Sequence, residues 1–62
     1  MPIITFDGGK MTKEQKKDLV CQFTDAAQKI TGIRREAFIV IIRENDMENI
    51  GSGGDLLCDK MK

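Results

Sequence analysis

Residues 37 to 44 read AFIVIIRE, and the run from Phe38 to Ile42 sets five large apolar side chains in a row. A strand with one wet face alternates apolar and polar residues, because successive side chains point to opposite faces. The unbroken run therefore predicts a strand covered on both faces, the situation of a parallel sheet. Upstream, residues 3 to 6 (IITF) are β-branched and aromatic and run into the turn-prone Asp7, Gly8 and Gly9, which predicts a short first strand. The two glycines are expected to supply positive φ in a tight turn.

Between these strands lies a helix signal. Thr12-Lys13-Glu14-Gln15 has the form of a capping box, in which the Thr12 hydroxyl accepts from the Gln15 amide and the Gln15 side chain reaches back. Leu19, Val20, Phe23, Ala26, Ala27 and Ile30 then recur at helical spacing, with Lys13, Lys17, Asp18, Gln28 and Lys29 off that stripe. Gly32 stands where a left-handed C-cap belongs. Residues 12 to 31 are thus expected to form one amphipathic helix, about 30 Å long.

Strand, helix and strand with short joins predict a right-handed βαβ unit with parallel strands. One helix covers only one face of so small a sheet, so the other face is expected to meet another subunit. Length argues the same way, because a chain of 62 residues hides only ~60% of its unfolded surface and is marginal alone. Residues 45 to 56 (NDMENIGSGGDL) are polar and glycine-rich around Ile50, consistent with a small hairpin or arm. The closing LLCDKMK is too short to form a core by itself. With no repeat and no linker, residues 1 to 62 are expected to be one α/β domain.

Composition excludes several functions. Ten basic and ten acidic residues leave no net charge, and three Phe without Tyr or Trp offer little for stacking, which argues against nucleic acid as a partner. No apolar run approaches ~18 residues and no cationic, apolar leader is present, so no membrane partner is expected and the protein should be cytoplasmic. Cys21 and Cys58 look like reduced thiols, with no histidine anywhere to activate them. Their separation and the missing histidines also argue against zinc, and no metal or cofactor is implied.

Strand, Gly8-Gly9-Lys10, Thr12 and helix superficially match a phosphate-binding loop. That pattern needs a glycine where this chain has Ile4 and a Ser or Thr where it has Met11. The match fails twice. A cation at a helix entrance remains suited to holding a carboxylate. The second cluster, Gly51-Ser52-Gly53-Gly54, reads as a bent hairpin connection.

A proline directly after Met1 permits removal of that methionine, which would leave Pro2 as a free secondary amine. Pro2, the Gly-Lys turn, TKEQKKDLV, the Thr31-Gly32 helix end, VIIRE and ENIGSGG together resemble the 4-oxalocrotonate tautomerase family, over Pro2 to about Leu56. The resemblance implies a β-α-β subunit with a short C-terminal hairpin, sheets joined across subunits, and usually a homohexamer. It implies an isomerase that acts without a cofactor on a small unsaturated or enolised carboxylic acid, in the breakdown of aromatic compounds.

In such enzymes the amino-terminal proline is the general base, a role only Pro2 can fill here. A free α-amino group titrates near ~7.7 to 8.0 and proline is more basic. An apolar pocket with a nearby Lys or Arg would disfavour the ammonium, letting one group near the working pH serve as base and then acid.

The substrate-holding positions depart from the family. Its turn arginine corresponds to Lys10 or Met11, and lysine lacks the bidentate fork. Its strand arginine aligns with Ile39, and its aromatic pocket wall with Ile50, which keeps the apolar character. Arg43 shares a strand face with Ile39 but lies about 13 Å further along, so it either reaches a neighbouring subunit's pocket or is a solvated strand-end charge. Arg34 and Arg35 read as solvated. Two other readings remain: hydration or dehalogenation of an unsaturated acid with Glu44, Asp46 or Glu48 activating water, and a non-catalytic oligomeric binding protein of the same fold.

Overall fold

The computed structural model describes residues 1–60; Met61 and Lys62, the end of LLCDKMK, lie outside the described residues. Strand β1 spans Ile3–Gly8, helix α1 Lys13–Thr31, β2 Ile39–Glu44, β3 Gly51–Ser52, β4 Asp55–Leu56 and the one-turn helix α2 Leu57–Lys60. Short 3-10 turns at Arg35–Ala37 and Met47–Asn49 lead into β2 and towards β3.

β1 and β2 pair in parallel, in register from Ile3 opposite Ile39 to Gly8 opposite Glu44. The expected β-α-β order is therefore observed, with two changes of boundary. β1 continues past Phe6 because Asp7 and Gly8 find partners in Arg43 and Glu44. β2 starts only at Ile39, because the Ala37 and Phe38 amides are drawn back to the carbonyls of Arg34 and Arg35 at 3.0 and 3.2 Å.

The helix begins as its residues require. The Thr12 hydroxyl accepts from the Gln15 amide at 3.1 Å, and the Gln15 side chain accepts from the Thr12 amide at 2.9 Å. Two donors that a helix start leaves orphaned are thereby satisfied. At the far end Gly32 adopts φ 73° and its amide donates to the Gln28 carbonyl at 2.9 Å. The Thr31 hydroxyl donates to the Ala27 carbonyl at 2.8 Å and accepts from the Ile33 amide at 3.2 Å.

α1 covers one face of the strand pair, where Ile4, Phe6, Val40 and Ile42 are half-buried. The rings of Phe6 and Phe23 meet at 6.1 Å between centroids, tilted by 49°. The inward side of the helix is turned from the expected stripe. Ile30 is 84% exposed at the helix end, whereas Thr24, absent from the stripe, is the most enclosed of the described residues at 7%. Thr24 can sit there because its hydroxyl donates to the Val20 carbonyl at 2.8 Å, leaving only its methyl to pack.

Gly8 also differs from expectation. Among the described residues positive φ occurs only at Gly32, Gly53 and Gly54, so the turn after β1 does not use it. Gly8 is required by space instead: a Cβ there would lie 2.6 Å from Cε2 of Phe6. The ring folds back over the strand where only a hydrogen fits.

The opposite face of the sheet is uncovered. Ile3, Ile39 and Ile41 are 60%, 39% and 37% exposed, and among the described residues no apolar side chain is fully buried. Coverage of both faces of β2 is thus not met within one chain. Beyond β2, Gly51 pairs with Leu56 and Ser52 with Asp55 in an antiparallel hairpin. Its two-residue loop has φ 63° at Gly53 and 90° at Gly54, the type I′ geometry that matches the twist of tight hairpins. The Leu57 amide closes the arm by donating to the Ile50 carbonyl at 2.8 Å. The hairpin and the short helix pack mainly among themselves, which draws the chain out to 43 × 24 × 15 Å.

Candidate active site

Pro2 heads β1, half-buried, and its carbonyl accepts from the Ile39 amide at 3.0 Å. This bond holds the proline at the mouth of the strand pair beside the first residue of β2. Met1 before it is exposed.

The other expected site residues lie elsewhere in the chain. Gly8, six residues beyond Pro2, pairs with Glu44, so the far end of the strands is about 20 Å from the proline. Lys10 follows that end, exposed, with its ammonium 3.7 Å from an Asp46 oxygen. Arg43 reaches across the register to Asp7, at 3.9 Å. Ile50, half-buried, stands at the base of the arm, its amide donating to the Met47 carbonyl at 3.3 Å. One chain therefore brings Pro2 and Ile39 together and leaves Lys10, Arg43 and Ile50 at the opposite end.

Glu44 is more deeply engaged than its sequence setting revealed. One carboxylate oxygen accepts from the Met11 amide at 3.0 Å and the other meets the Lys16 ammonium at 3.0 Å. The Met11 amide first, and Lys16 with it, hold this carboxyl below the usual glutamate range. The only signal in the chain was its place as the last residue of β2.

Arg35 is likewise not simply solvated. It pairs with Asp25 on α1, and its other nitrogen lies 3.4 Å from the Cys21 sulfur. Asp25 pushes the Arg35 guanidinium further up from its ordinary value. Arg34 remains exposed, 4.0 Å from Glu36. Cys21 and Cys58 are both free thiols.

A parallel strand pair, one long crossover helix and a trailing two-stranded hairpin define the small tautomerase class of subunit. The chain belongs to the family described as tautomerase enzyme, whose profile matches residues 2–60. Among solved structures it is similar to YwhB, a homologue of 4-oxalocrotonate tautomerase, at 32% identity and a TM-score of 0.86, covering 94% of this chain and 97% of that one. SAR1376 from methicillin-resistant Staphylococcus aureus is similar at 36% identity and a TM-score of 0.83, over 94% and 95%. A structure from a study of trans-3-chloroacrylic acid dehalogenase activity is similar at 30% identity and a TM-score of 0.77, over 89% and 97%. Among curated proteins, none is a significant match. The family supports a tautomerase-type activity, and its solved members include proteins studied for dehalogenation. Among the described residues no helix is long and apolar enough to cross a membrane.

Proposed function

We propose that this chain, once Met1 is removed, is a cofactor-independent tautomerase that ketonises a 2-hydroxy-dienoate or a related enol acid with the Pro2 amine. The observation that carries the reading is the position of Pro2, the first residue matched by the family, held at the strand mouth by the Ile39 amide. The neutral amine takes the proton from the enol oxygen, giving a pyrrolidinium and a conjugated enolate. The same N–H then returns that proton to a carbon of the chain, so substrate and product are isomers and the amine is regenerated. The rigid ring keeps the lone pair aimed throughout, which favours a short proton transfer.

The substrate carboxylate is held by Lys10 or Arg43, with Ile39 and Ile50 as apolar walls. Because one chain keeps Ile39 beside Pro2 but sets Lys10, Arg43 and Ile50 at the opposite end, the complete site forms between subunits. The uncovered Ile3, Ile39 and Ile41 face and the shortage of buried apolar side chains support a homo-oligomer, which we propose is a hexamer.

The test is ultraviolet monitoring of phenylpyruvate enol or 2-hydroxymuconate, with intact mass confirming that Met1 is gone. The processed protein is expected to ketonise at least about 10²-fold faster than Pro2→Ala. Equal rates would sink the reading. A second reading, dehalogenation, is favoured by the similarity to the chloroacrylate structure. It needs a carboxylate to activate water; Glu44 is engaged by Met11 and Lys16 and Asp46 by Lys10, which leaves the exposed Glu48 for that role. Chloride release from trans-3-chloroacrylate tests it directly.

A further inference from the structure

We propose that Glu44 is a positioning residue that sets the carboxylate grip of the turn between β1 and α1. This rests on the reading of Lys10 as a substrate-holding cation. The turn is fixed at its two edges, where the Asn45 amide donates to the Gly8 carbonyl at 2.7 Å and Thr12 enters its capping box. Between those edges stand Lys10 and Met11, and the hydrogen bond that ties them to the rest of the fold comes from a residue 33 positions away: Met11 N–H to Glu44 at 3.0 Å. The second oxygen of Glu44 is taken by Lys16, on the first turns of α1, at 3.0 Å. One carboxylate therefore joins the end of β2, the turn and the start of the helix.

Its placement also decides how much positive charge Lys10 presents. A carboxylate near Lys10 competes with an anionic substrate for the ammonium. Glu44 is engaged first by the Met11 amide and the Lys16 ammonium, and its attraction to Lys10 is the smallest of the influences that lower its pKa. Lys10 is left with Asp46, an exposed contact at 3.7 Å that a substrate carboxylate can displace, since such surface pairs are weak. The tie holds the Lys10 backbone in place while leaving its side chain available.

Glu44→Gln keeps an oxygen for the Met11 amide and loses the charge, whereas Glu44→Ala loses both. With phenylpyruvate enol as the probe and the processed oligomer as the enzyme, Glu44→Ala is expected to raise KM about tenfold, with kcat within about threefold of wild type. Glu44→Gln should stay within about threefold in KM. In a Lys10→Met background, itself raised in KM, Glu44→Ala should add less than about twofold, because both changes act through one contact. By hydrogen exchange, the Met11 amide should be protected in wild type and Glu44→Gln and exposed in Glu44→Ala.

A loss of kcat in place of KM, an undiminished effect in the Lys10→Met background, or a Met11 amide equally protected in Glu44→Ala overturns the proposal. If Lys10→Met raises KM and Glu44→Ala does not, the positioning role alone fails. If Lys10→Met leaves KM unchanged, the Lys10 reading fails and the proposal falls with it. A wild type with no turnover defeats the tautomerase reading, and Met11 exchange then decides the tie by itself.

Discussion

The Ile39 amide donates to the Pro2 carbonyl at 3.0 Å, so the residue that the tautomerase resemblance aligns with a strand arginine is also the one that anchors the proline. The bond uses only backbone atoms, so a change of side chain at 39 leaves the anchor in place. Ile39→Arg therefore adds a guanidinium next to the proposed base, at the end of the face shared with Ile3 and Ile41, so its kinetics are read on a sample that sedimentation shows still to be the wild-type oligomer. We expect KM for a dicarboxylate such as 2-hydroxymuconate to fall about tenfold, the scale of one charged hydrogen bond. The monocarboxylate phenylpyruvate enol should change less. Steady-state kinetics on both substrates read the difference, and an equal effect on the two would refute a role in holding the second carboxylate.

Gly8 is kept small by the Phe6 ring, which would lie 2.6 Å from an added Cβ. The same ring meets Phe23 at 6.1 Å between centroids, so moving it disturbs that contact as well. Gly8→Ala should destabilise the fold by about 1–2 kcal/mol through forced repacking. Thermal unfolding would show the loss as a lowered midpoint, and Phe6→Leu introduced together with Gly8→Ala should recover part of it.

Glu44 has a folded-state pKa below its ordinary value, mainly from the Met11 amide and then Lys16. A depressed carboxyl contributes stability that is fully present above its unfolded value of about 4.3 and is lost as pH falls through the lower folded value. Wild type should therefore lose stability more steeply than Glu44→Gln below about pH 4.3. Denaturant midpoints measured between neutral and acidic pH check this, and the two curves should run parallel above that range.

Ile41 stands on the uncovered face with Ile3 and Ile39. Placing a charge there would be harmless in an isolated chain and costly in a buried joint. Ile41→Lys is expected to shift sedimentation from oligomer to monomer and to lower the unfolding midpoint in a concentration-dependent way. An oligomer of unchanged size would place the joint elsewhere.

Much of this architecture could be read along the chain because its causes are local. The capping box at Thr12 and Gln15, the left-handed stop at Gly32 and the hairpin bend within Gly51-Ser52-Gly53-Gly54 each depend on residues within a few positions of one another. The parallel order followed from helix length and short joins. What could not be read depends on partners far away in sequence. Thr24 looked polar, yet its hydroxyl is satisfied within its own helix and its methyl faces inward. Arg35 looked solvated until the fold set it against Asp25. Glu44 carried no mark of its tie to Met11.

By itself, then, the sequence determined the elements and their order, the start and stop of the long helix, and the proline that leads the first strand, because backbone preferences and hydrophobic period act over a few residues. Only the tertiary structure decided that the proline and the cations lie at opposite ends of one strand pair, that Gly8 makes room for a ring, and that Glu44 joins three elements. Strand register and long-range hydrogen bonds exist only after the chain has closed on itself, and no short window of residues encodes them alone.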